Sequence, residues 1–210
     1  MMIKENFEEI KNEVGDNVNV IAVTKYHSVE ETLAAYEAGV RHFGENRIEG
    51  FIEKRQALPA DAEVHFIGTM QSRKVKDVIE DLYYLHSLER ESVAKKIEQA
   101  AQHVVNCFIQ VNVSDEESKH GLKPEDVEGF LETLKDYDYV KVIGLMTMAP
   151  HTEDIEVIEQ TFSGLSNLRD TLMQKYPEVK ELSMGMSNDY PIAVKNGASY
   201  IRIGSKIMGS

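Results

Sequence analysis

The sequence predicts an α/β fold, a (β/α)8 barrel of the TIM type with an additional N-terminal helix. Short apolar runs rich in β-branched residues alternate with helical patterns along all 210 residues. Strands that alternate with helices pair in parallel through crossover helices, and eight such strands are the number that closes a barrel. An open, doubly wound sheet is the alternative, because it has the same alternation. No linker or repeat interrupts the pattern, so residues 1–210 are expected to form one domain.

The first element is expected to be an amphipathic helix. Ile3, Phe7, Ile10 and Val14 recur at helical spacing in the opening segment MMIKENFEEIKNEVG. Charges are spread through this segment, which argues against a secretory signal peptide. The helix is therefore assigned to the outside of the barrel, as an addition to the eight repeated units.

Eight apolar runs are expected to be the strands. They are largely continuous rather than alternating, because a parallel strand is covered on both faces. The expected strands are Val18–Tyr26, Arg41–Asn46, Glu63–Gly68, Tyr83–Leu88, Val105–Val113, Val140–Met148, Glu181–Ser187 and Ser199–Gly204. The stretches between them are expected to be helices, for example Val29–Ala38, Arg47–Ala57, Ser72–Glu80, Glu91–His103, Pro124–Tyr137, Ile155–Lys175 and Asp189–Asn196.

The composition of the chain argues against nucleic acids and membranes as partners. The formal net charge is −13, and nucleic acids and anionic membranes both demand a basic surface, so neither is an expected partner. No apolar run approaches the ~18 residues that a membrane span needs. The single cysteine, Cys107, lies in the apolar run VVNCFIQV and is expected in the core. These features favour a cytoplasmic protein, and a monomer is expected because no long exposed apolar stripe is evident.

A lysine stands at the end of the first expected strand, in VNVIAVTKYH. Functional groups of barrels gather where strands end, and Lys25 occupies that position. Desolvation lowers the pKa of lysines in general, and a neutral amine can condense with an aldehyde to form a Schiff base. The structural alternative is a lysine that reaches solvent or pairs with a carboxylate such as Glu45.

Two later motifs indicate an anion site at the same level of the barrel. SMGMSNDYPIAVKNG runs from a strand into a helix, where Ser187, Asn188 and free backbone N–H groups favour phosphate. In YIRIGSKIMG, Gly204 lets a ligand approach the backbone, and the Ser205 hydroxyl can bind phosphate. The structural alternatives are a helix cap at Ser187 or Asn188, a plain turn at Gly204, and pairing of Arg202 with a buried carboxylate.

An amine, a phosphate cradle and a guanidinium together suit a phosphorylated aldehyde, of which pyridoxal 5′-phosphate (PLP) is the obvious example. Six further segments cover nearly the whole chain in order: AVTKYHSVEE, GVRHFGEN, VHFIGTMQSRK, VNVSDEESKHGL, GLMTMAP and LSMGMSNDYPIAVKNGASYIRIGSKIMG. In these segments the sequence resembles the pyridoxal phosphate homeostasis protein family. The last segment, in which SMGMS is followed by RIG, is the most specific.

The resemblance implies a barrel similar to the N-terminal domain of alanine racemase, with PLP held as a Schiff base. It assigns Lys25 to the Schiff-base lysine and Arg202 to the arginine beside the pyridine nitrogen. It also places Asn46 along the cofactor. The phosphate contacts that it implies come from the last matching segment, at Ser187, Gly204 and Ser205.

The sequence departs from the family pattern at three places. Arg47 follows GEN where the family usually has an aromatic residue, and Val64 stands before HFIG in place of a common tryptophan. The ending GSKIMG replaces a more usual Gly-Thr pair, but Ser205 keeps a hydroxyl for phosphate. The first two changes therefore bear on the rim of the site and on partner surfaces.

The expected function is that of a non-catalytic PLP-binding protein in PLP homeostasis, which affects amino-acid and keto-acid metabolism and has PLP-accepting apo-enzymes as candidate partners. Racemisation needs a second acid or base opposite the lysine. A second domain supplies that group in alanine racemase-like enzymes, and this chain, which ends at Ser210, is expected to lack one. The alternatives are a small PLP-dependent amino-acid racemase and a Schiff-base aldolase of phosphorylated sugars.

The histidines and a loop lysine are the remaining polar candidates. His65, in VHFIG, is expected to be a hydrogen-bonded residue within a strand rather than an acid or base. The histidines show no metal-ligand spacing, so no metal is expected. Lys119, in the loop DEESK, is a candidate for a second, transient contact with the aldehyde.

Overall fold

The computed structural model describes residues 2–116 and 120–209. Eight parallel strands are hydrogen-bonded in the order of the chain: β1 Asn19–Val23, β2 His42–Glu45, β3 Glu63–Phe66, β4 Tyr84–Leu88, β5 Val105–Gln110, β6 Val140–Met146, β7 Glu181–Ser183 and β8 Tyr200–Ile203. The sheet closes because β1 pairs with β8 as well as with β2. The predicted (β/α)8 barrel is therefore confirmed, and the open, doubly wound sheet is wrong.

Helices surround the strands: α1 Met2–Val14, α2 Val29–Glu37, α3 Ile48–Ala57, α4 Val75–Val78, α5 Glu91–Ala100, α6 Val127–Leu134, α7 Ile155–Met173, α8 Tyr190–Lys195 and α9 Ser205–Met208. The predicted N-terminal helix is confirmed as α1. Its Asn6 side chain donates a hydrogen bond to the carbonyl of Ile207 in α9, at 3.2 Å. Within the two described ranges, no helix is long and apolar enough to cross a membrane.

The core has two parts, one between the sheet and the helices and one inside the barrel. The outer part includes Ile201 and Ile203, which alternate along β8 with inward-facing residues. The inner part contains Ile21, Phe108, Met146 and Tyr200. Cys107 is fully buried, as predicted, and burial raises the pKa of its thiol to about 12. The thiol is therefore protonated at neutral pH and is a packing group.

Several strands end earlier than predicted at the mouth of the barrel. The run Val18–Tyr26 stops being a strand at Val23, because Tyr26 has a positive φ of 71°, which extended backbone does not allow. The run that was expected to reach Ser187 stops at Ser183, and Gly185 has a φ of 105°. The loops at the mouth of the barrel are therefore longer than predicted, because the residues that follow Val23 and Ser183 belong to loops and not to strands.

Gly144 on β6 is required for steric reasons. A Cβ atom at this position would overlap the carbonyl oxygen of Glu181 on the neighbouring strand β7. Gly144→Ala must push two paired strands apart, and we expect it to lower the free energy of unfolding by about 1–3 kcal/mol.

Gly129→Ala is the matched control, because no atom outside the adjacent backbone of its own helix lies within 4 Å of the added Cβ. Gly129 lies in α6, where alanine is a better helix former than glycine, so this change should raise stability by up to about 1 kcal/mol. Urea denaturation of both variants measures the difference. Equal effects at the two positions would contradict the steric account of Gly144.

Candidate functional site

The carboxyl ends of β1 and β8 lie side by side and form one cavity at the mouth of the barrel. Ala22 pairs with Ile203 in the register of the two strands, so Lys25 and Gly204 both follow shortly after the paired residues. Lys25, Gly204 and Ser205 line a cavity of about 360 Å³. The structure thus brings the candidate Schiff-base lysine together with two of the three candidate phosphate ligands.

A tight turn from Thr24 to His27 presents Lys25 at this cavity. The backbone N–H of His27 donates to the carbonyl of Thr24 at 3.0 Å, which closes the turn. Tyr26 has a φ of 71° and is 82% exposed, and the Lys25 amine lies 5.7 Å from the centroid of its ring. Lys25 is half-buried and forms no ion pair with any residue that the structure describes. Its amine is therefore open to a ligand.

Glu45, the carboxylate considered as a partner of Lys25, is engaged elsewhere. Its Oε2 atom lies 3.0 Å from Lys54 Nζ, in an ion pair whose two side chains are each 3% exposed. The hydroxyl of Thr24 also donates to Glu45, and Lys54 Nζ donates to the carbonyl of Thr24 at 3.3 Å. Lys54 could not be singled out from the sequence, because a lysine in the charged helical segment FIEKRQA gives no signal that it points inward.

Ser187 lies next to the start of α9, although it belongs to another loop. Its Oγ atom accepts a hydrogen bond from the backbone N–H of Lys206 at 3.4 Å. Ser187 is half-buried and Ser205 is exposed, so both hydroxyls can be reached from solvent. The predicted phosphate-binding residues therefore meet at one place. The alternative of a cap by Ser187 or Asn188 is wrong, because the residue that precedes α8 is Asp189.

Arg202 faces the inside of the barrel, two residues beyond Tyr200 on β8. Its Nη2 atom donates to the carbonyl of Thr147 at 3.0 Å, whereas its Nε atom is buried without a hydrogen-bond partner among the described residues. Burial lowers the pKa of Arg202 to about 10, and the charge of Asp189 opposes this effect. The guanidinium therefore stays charged at neutral pH and keeps one donor free for a ligand. Arg202 forms no ion pair with a carboxylate among the residues that the structure describes.

Asn46 lies at a different part of the mouth. It follows β2 and lines a separate cavity of about 210 Å³, together with Arg47, Thr69 and Lys74. Arg47 is exposed at this rim. Asn46 does not line the cavity that contains Lys25, and neither do Ser187 and Arg202. Ser187 contacts the start of α9 and Arg202 lies on β8 just before Gly204, whereas Asn46 follows a different strand, so its placement gives the least support for contact with the same ligand.

Three histidines form a hydrogen-bonded chain inside the barrel. His42 Nδ1 lies 3.1 Å from His65 Nε2, and His65 Nδ1 lies 2.9 Å from His86 Nε2. His86 Nδ1 lies 2.8 Å from the hydroxyl of Ser183 at the end of β7. Burial lowers the pKa of all three histidines, and it lowers those of His65 and His86 well below the usual value. The expected structural role of His65 within its strand is confirmed.

The chemistry at the mouth comes from an amine, hydroxyls, backbone N–H groups and a guanidinium. His27 and Glu31 also line the Lys25 cavity, but they contact each other, with 3.1 Å between His27 Nδ1 and Glu31 Oε2. Within residues 2–116 and 120–209, no group of three His, Cys, Asp or Glu side chains is placed to hold a metal ion. Lys119, the candidate for a second aldehyde contact, lies outside the described residues. The groups that remain favour an anionic ligand with an electrophilic carbon.

The relatives of this chain identify its family. Residues 2–210 match the family model described as alanine racemase, N-terminal domain. The pyridoxal phosphate homeostasis protein of Schizosaccharomyces pombe is 37% identical over 215 residues, which cover 100% of this chain and 90% of that protein. The protein of the same name from Aquifex aeolicus is 39% identical over 201 residues, which cover 93% of this chain and 88% of that protein.

Solved structures agree on the fold. PipY from Synechococcus elongatus, solved with PLP bound, has a TM-score of 0.91 and 32% sequence identity, over 99% of this chain and 100% of that chain. An alanine racemase from Corynebacterium glutamicum, at 13% identity and a TM-score of 0.82, shares the fold over 98% of this chain and 60% of its own. The chain therefore belongs to the pyridoxal phosphate homeostasis protein family, within the wider group that shares the alanine racemase N-terminal domain.

Proposed function

We propose that this chain is a non-catalytic carrier of PLP, which it binds at the mouth of the barrel through a covalent bond to Lys25. In this role it maintains the PLP pool and so affects amino-acid and keto-acid metabolism, and PLP-accepting apo-enzymes are its proposed partners. The observation that carries the proposal is the single cavity that Lys25 shares with Gly204 and Ser205. The relatives named for pyridoxal phosphate homeostasis, and PipY solved with PLP bound, support it.

The residues at the mouth fit the chemical groups of PLP. An aldehyde requires an amine, which Lys25 supplies, and a phosphate requires donors, which the hydroxyls of Ser187 and Ser205 and the backbone at Gly204 supply. The cavity of about 360 Å³ lies within the ~300–1,000 Å³ that is usual for small-molecule sites. The buried Nε of Arg202, which lacks a partner among the described residues, is the donor that we assign to the pyridine nitrogen.

The proposed place of Arg202 favours binding over catalysis. When bound, PLP supplies an electron sink, and the protein group beside the ring nitrogen sets the strength of that sink. Arg202 is charged at neutral pH, since its pKa is about 10. A fixed positive charge disfavours a second one on the ring nitrogen, which weakens the sink. The arginine therefore suits a protein that holds PLP better than one that breaks bonds at carbon.

A racemase needs a second acid or base across the substrate from the lysine. Tyr26, Tyr190 and Tyr200 are the tyrosines that could supply this group. Tyr190 donates its hydroxyl to Glu13, and Tyr200 lies in the inner core. Tyr26 lines the cavity but is 82% exposed. These three tyrosines are therefore poorly placed for proton transfer in a closed site, which supports the carrier over the racemase.

A PLP titration followed by absorbance tests the proposal. The protein is expected to develop an absorbance band at about 420 nm, and borohydride reduction is expected to fix PLP on the peptide that contains Lys25. The loaded protein is then mixed with an apo-enzyme that depends on PLP, and that enzyme should regain activity. Absence of both the band and the reduced adduct would contradict PLP binding.

Two measurements separate the carrier from the alternative functions. Incubation with L-amino acids followed by chiral analysis detects racemisation, and sustained turnover would favour a racemase. Borohydride trapping of a sugar phosphate on Lys25, without a chromophore, would favour a Schiff-base aldolase. The carrier is expected to give neither result.

A further inference from the structure

A buried ion pair contacts the turn that carries Lys25. Glu45 stands at the end of β2 and Lys54 lies on α3, and each side chain is 3% exposed. A buried ion pair often stabilises a fold no more than well-packed apolar residues of similar volume would. Stability alone therefore does not explain why these two charges lie inside the protein.

The ion pair is joined to Thr24 at two points, one on the side chain and one on the backbone. The Thr24 hydroxyl donates to the Glu45 carboxylate. The Thr24 carbonyl accepts one hydrogen bond from Lys54 Nζ at 3.3 Å and another from the N–H of His27 at 3.0 Å. Since the next residue is Lys25, these contacts fix the backbone from which the amine extends.

The turn must be held, because Tyr26 has a φ of 71°. A residue other than glycine is strained in the left-handed region, and such strain persists only where the surrounding structure holds it. Tyr26 is 82% exposed, so packing of its own ring contributes little. The two hydrogen bonds to the Thr24 carbonyl are the described contacts that tie the start of the turn to its end and to α3.

A glycine in α3 makes room for the Glu45–Lys54 pair. A Cβ atom at Gly50, in the first turn of α3, would overlap Oε1 of Glu45. Glycine here lets the helix approach closely enough for Lys54, one helical turn later, to reach both Glu45 and Thr24. The glycine, the ion pair and the threonine therefore act as one unit.

We propose that the Glu45–Lys54 pair is a positioning device, which holds the Thr24–His27 turn so that the Lys25 amine faces the cavity lined by Gly204 and Ser205. The proposal rests on the proposed PLP-binding function and adds to it the residues that orient the amine. Neither Glu45 nor Lys54 lines the cavity, so both act through Thr24.

Two variants separate positioning from stability. Lys54→Met leaves the Glu45 charge buried and unpaired, so it should lower both the melting temperature and the rate of PLP attachment. Glu45→Gln/Lys54→Met removes both charges, so its melting temperature should return close to the parent value. The Thr24 carbonyl still lacks its Lys54 donor in the double variant, so PLP attachment should stay at least about tenfold slower than in the parent.

Hydrogen exchange of the His27 amide provides a readout that does not depend on PLP. In the double variant the turn should open more often, and exchange of this amide should rise at least about tenfold in protein without PLP. Lys96→Met is the matched control, because it changes an exposed lysine of α5. It should leave amide exchange, melting temperature and PLP attachment at the parent values.

The outcomes distinguish this proposal from the proposed function. A parent protein without a PLP band would contradict the function, whereas exchange of the His27 amide would still decide whether the ion pair holds the turn. A double variant with the parent's attachment rate would overturn the positioning proposal and leave the function intact. Unchanged exchange of the His27 amide would overturn it in either case.

Discussion

Lys25→Ala is expected to abolish the covalent capture of PLP, so that the absorbance band at about 420 nm is lost completely. A Schiff base requires a primary amine, and alanine has none. The fold should survive the change, because Lys25 is half-buried, follows β1 rather than belonging to it, and has no ion-pair partner among the described residues. Absorbance after addition of PLP, and mass spectrometry after borohydride reduction, measure the loss.

Lys25→Arg and Lys195→Ala are the matched controls. Arginine keeps the positive charge, but its guanidinium stays protonated and does not condense with an aldehyde, so Lys25→Arg should also lack the band. Lys195 is an exposed lysine at the end of α8, and its replacement should leave the band unchanged. A band that survives in both Lys25 variants, with the adduct on another lysine, would mean that Lys25 is not the attachment point.

The place where the main chemical groups meet could be predicted from the strand ends. The apolar run before Lys25 marked β1, and a barrel of parallel strands has all its carboxyl ends at one rim. Lys25, Gly204 and Ser205 were therefore expected at the same level, and they line one cavity. Their direct adjacency follows from closure of the sheet, which makes the first and last strands neighbours.

The contacts behind Lys25 could not be predicted in the same way. Tyr26 is an aromatic residue of the kind that favours strands, and its neighbours give no sign of the positive φ that ends the extended run. Lys54 is nine positions from Glu45 along the chain, with the start of a helix between them. Their pairing depends on how α3 packs against β2, and residue spacing does not specify that packing.

The histidine chain has a signal in the sequence, but only if the strands are compared with each other. His42, His65 and His86 come from three successive strands, one residue from each. Taken singly, each is an ordinary strand histidine. Inward-facing side chains of a barrel stack in layers, so histidines on successive strands can meet inside it. Comparison of the strands by layer would have indicated the contact.

Acid is expected to destabilise this protein from about pH 6.5 downward, before most carboxylates are protonated. Burial lowers the pKa of His42, and it lowers those of His65 and His86 well below the usual value, so these side chains stay neutral in the folded state. Unfolded histidine has a pKa of about 6.5, so the unfolded chain binds more protons below that pH. Stability should therefore fall by up to about 1.4 kcal/mol per pH unit for each buried neutral histidine.

His65→Gln tests the source of this pH dependence, because glutamine keeps a donor and an acceptor but does not titrate. The variant should be less stable near neutral pH, since glutamine does not reproduce the fit of the imidazole between two others. Its stability should nevertheless fall less steeply than that of the parent between about pH 6.5 and 5. His151→Gln is the control, because His151 is exposed and its loss should leave the parent slope. Urea denaturation at each pH measures the slopes.

If the stability of the parent protein did not change between about pH 6.5 and 5, the three histidines inside the barrel could not be neutral in the folded state. The folded barrel would then have to accept a proton on these histidines. The residues around His86 disfavour that proton. Phe108 stacks on His86 and Tyr200 meets its edge, while the charge of Arg202 lowers the His86 pKa further. A second positive charge would thus meet repulsion and no carboxylate among the described residues that contact His86. Unfolding, which returns the imidazoles to water, is therefore the route by which the protein takes up these protons.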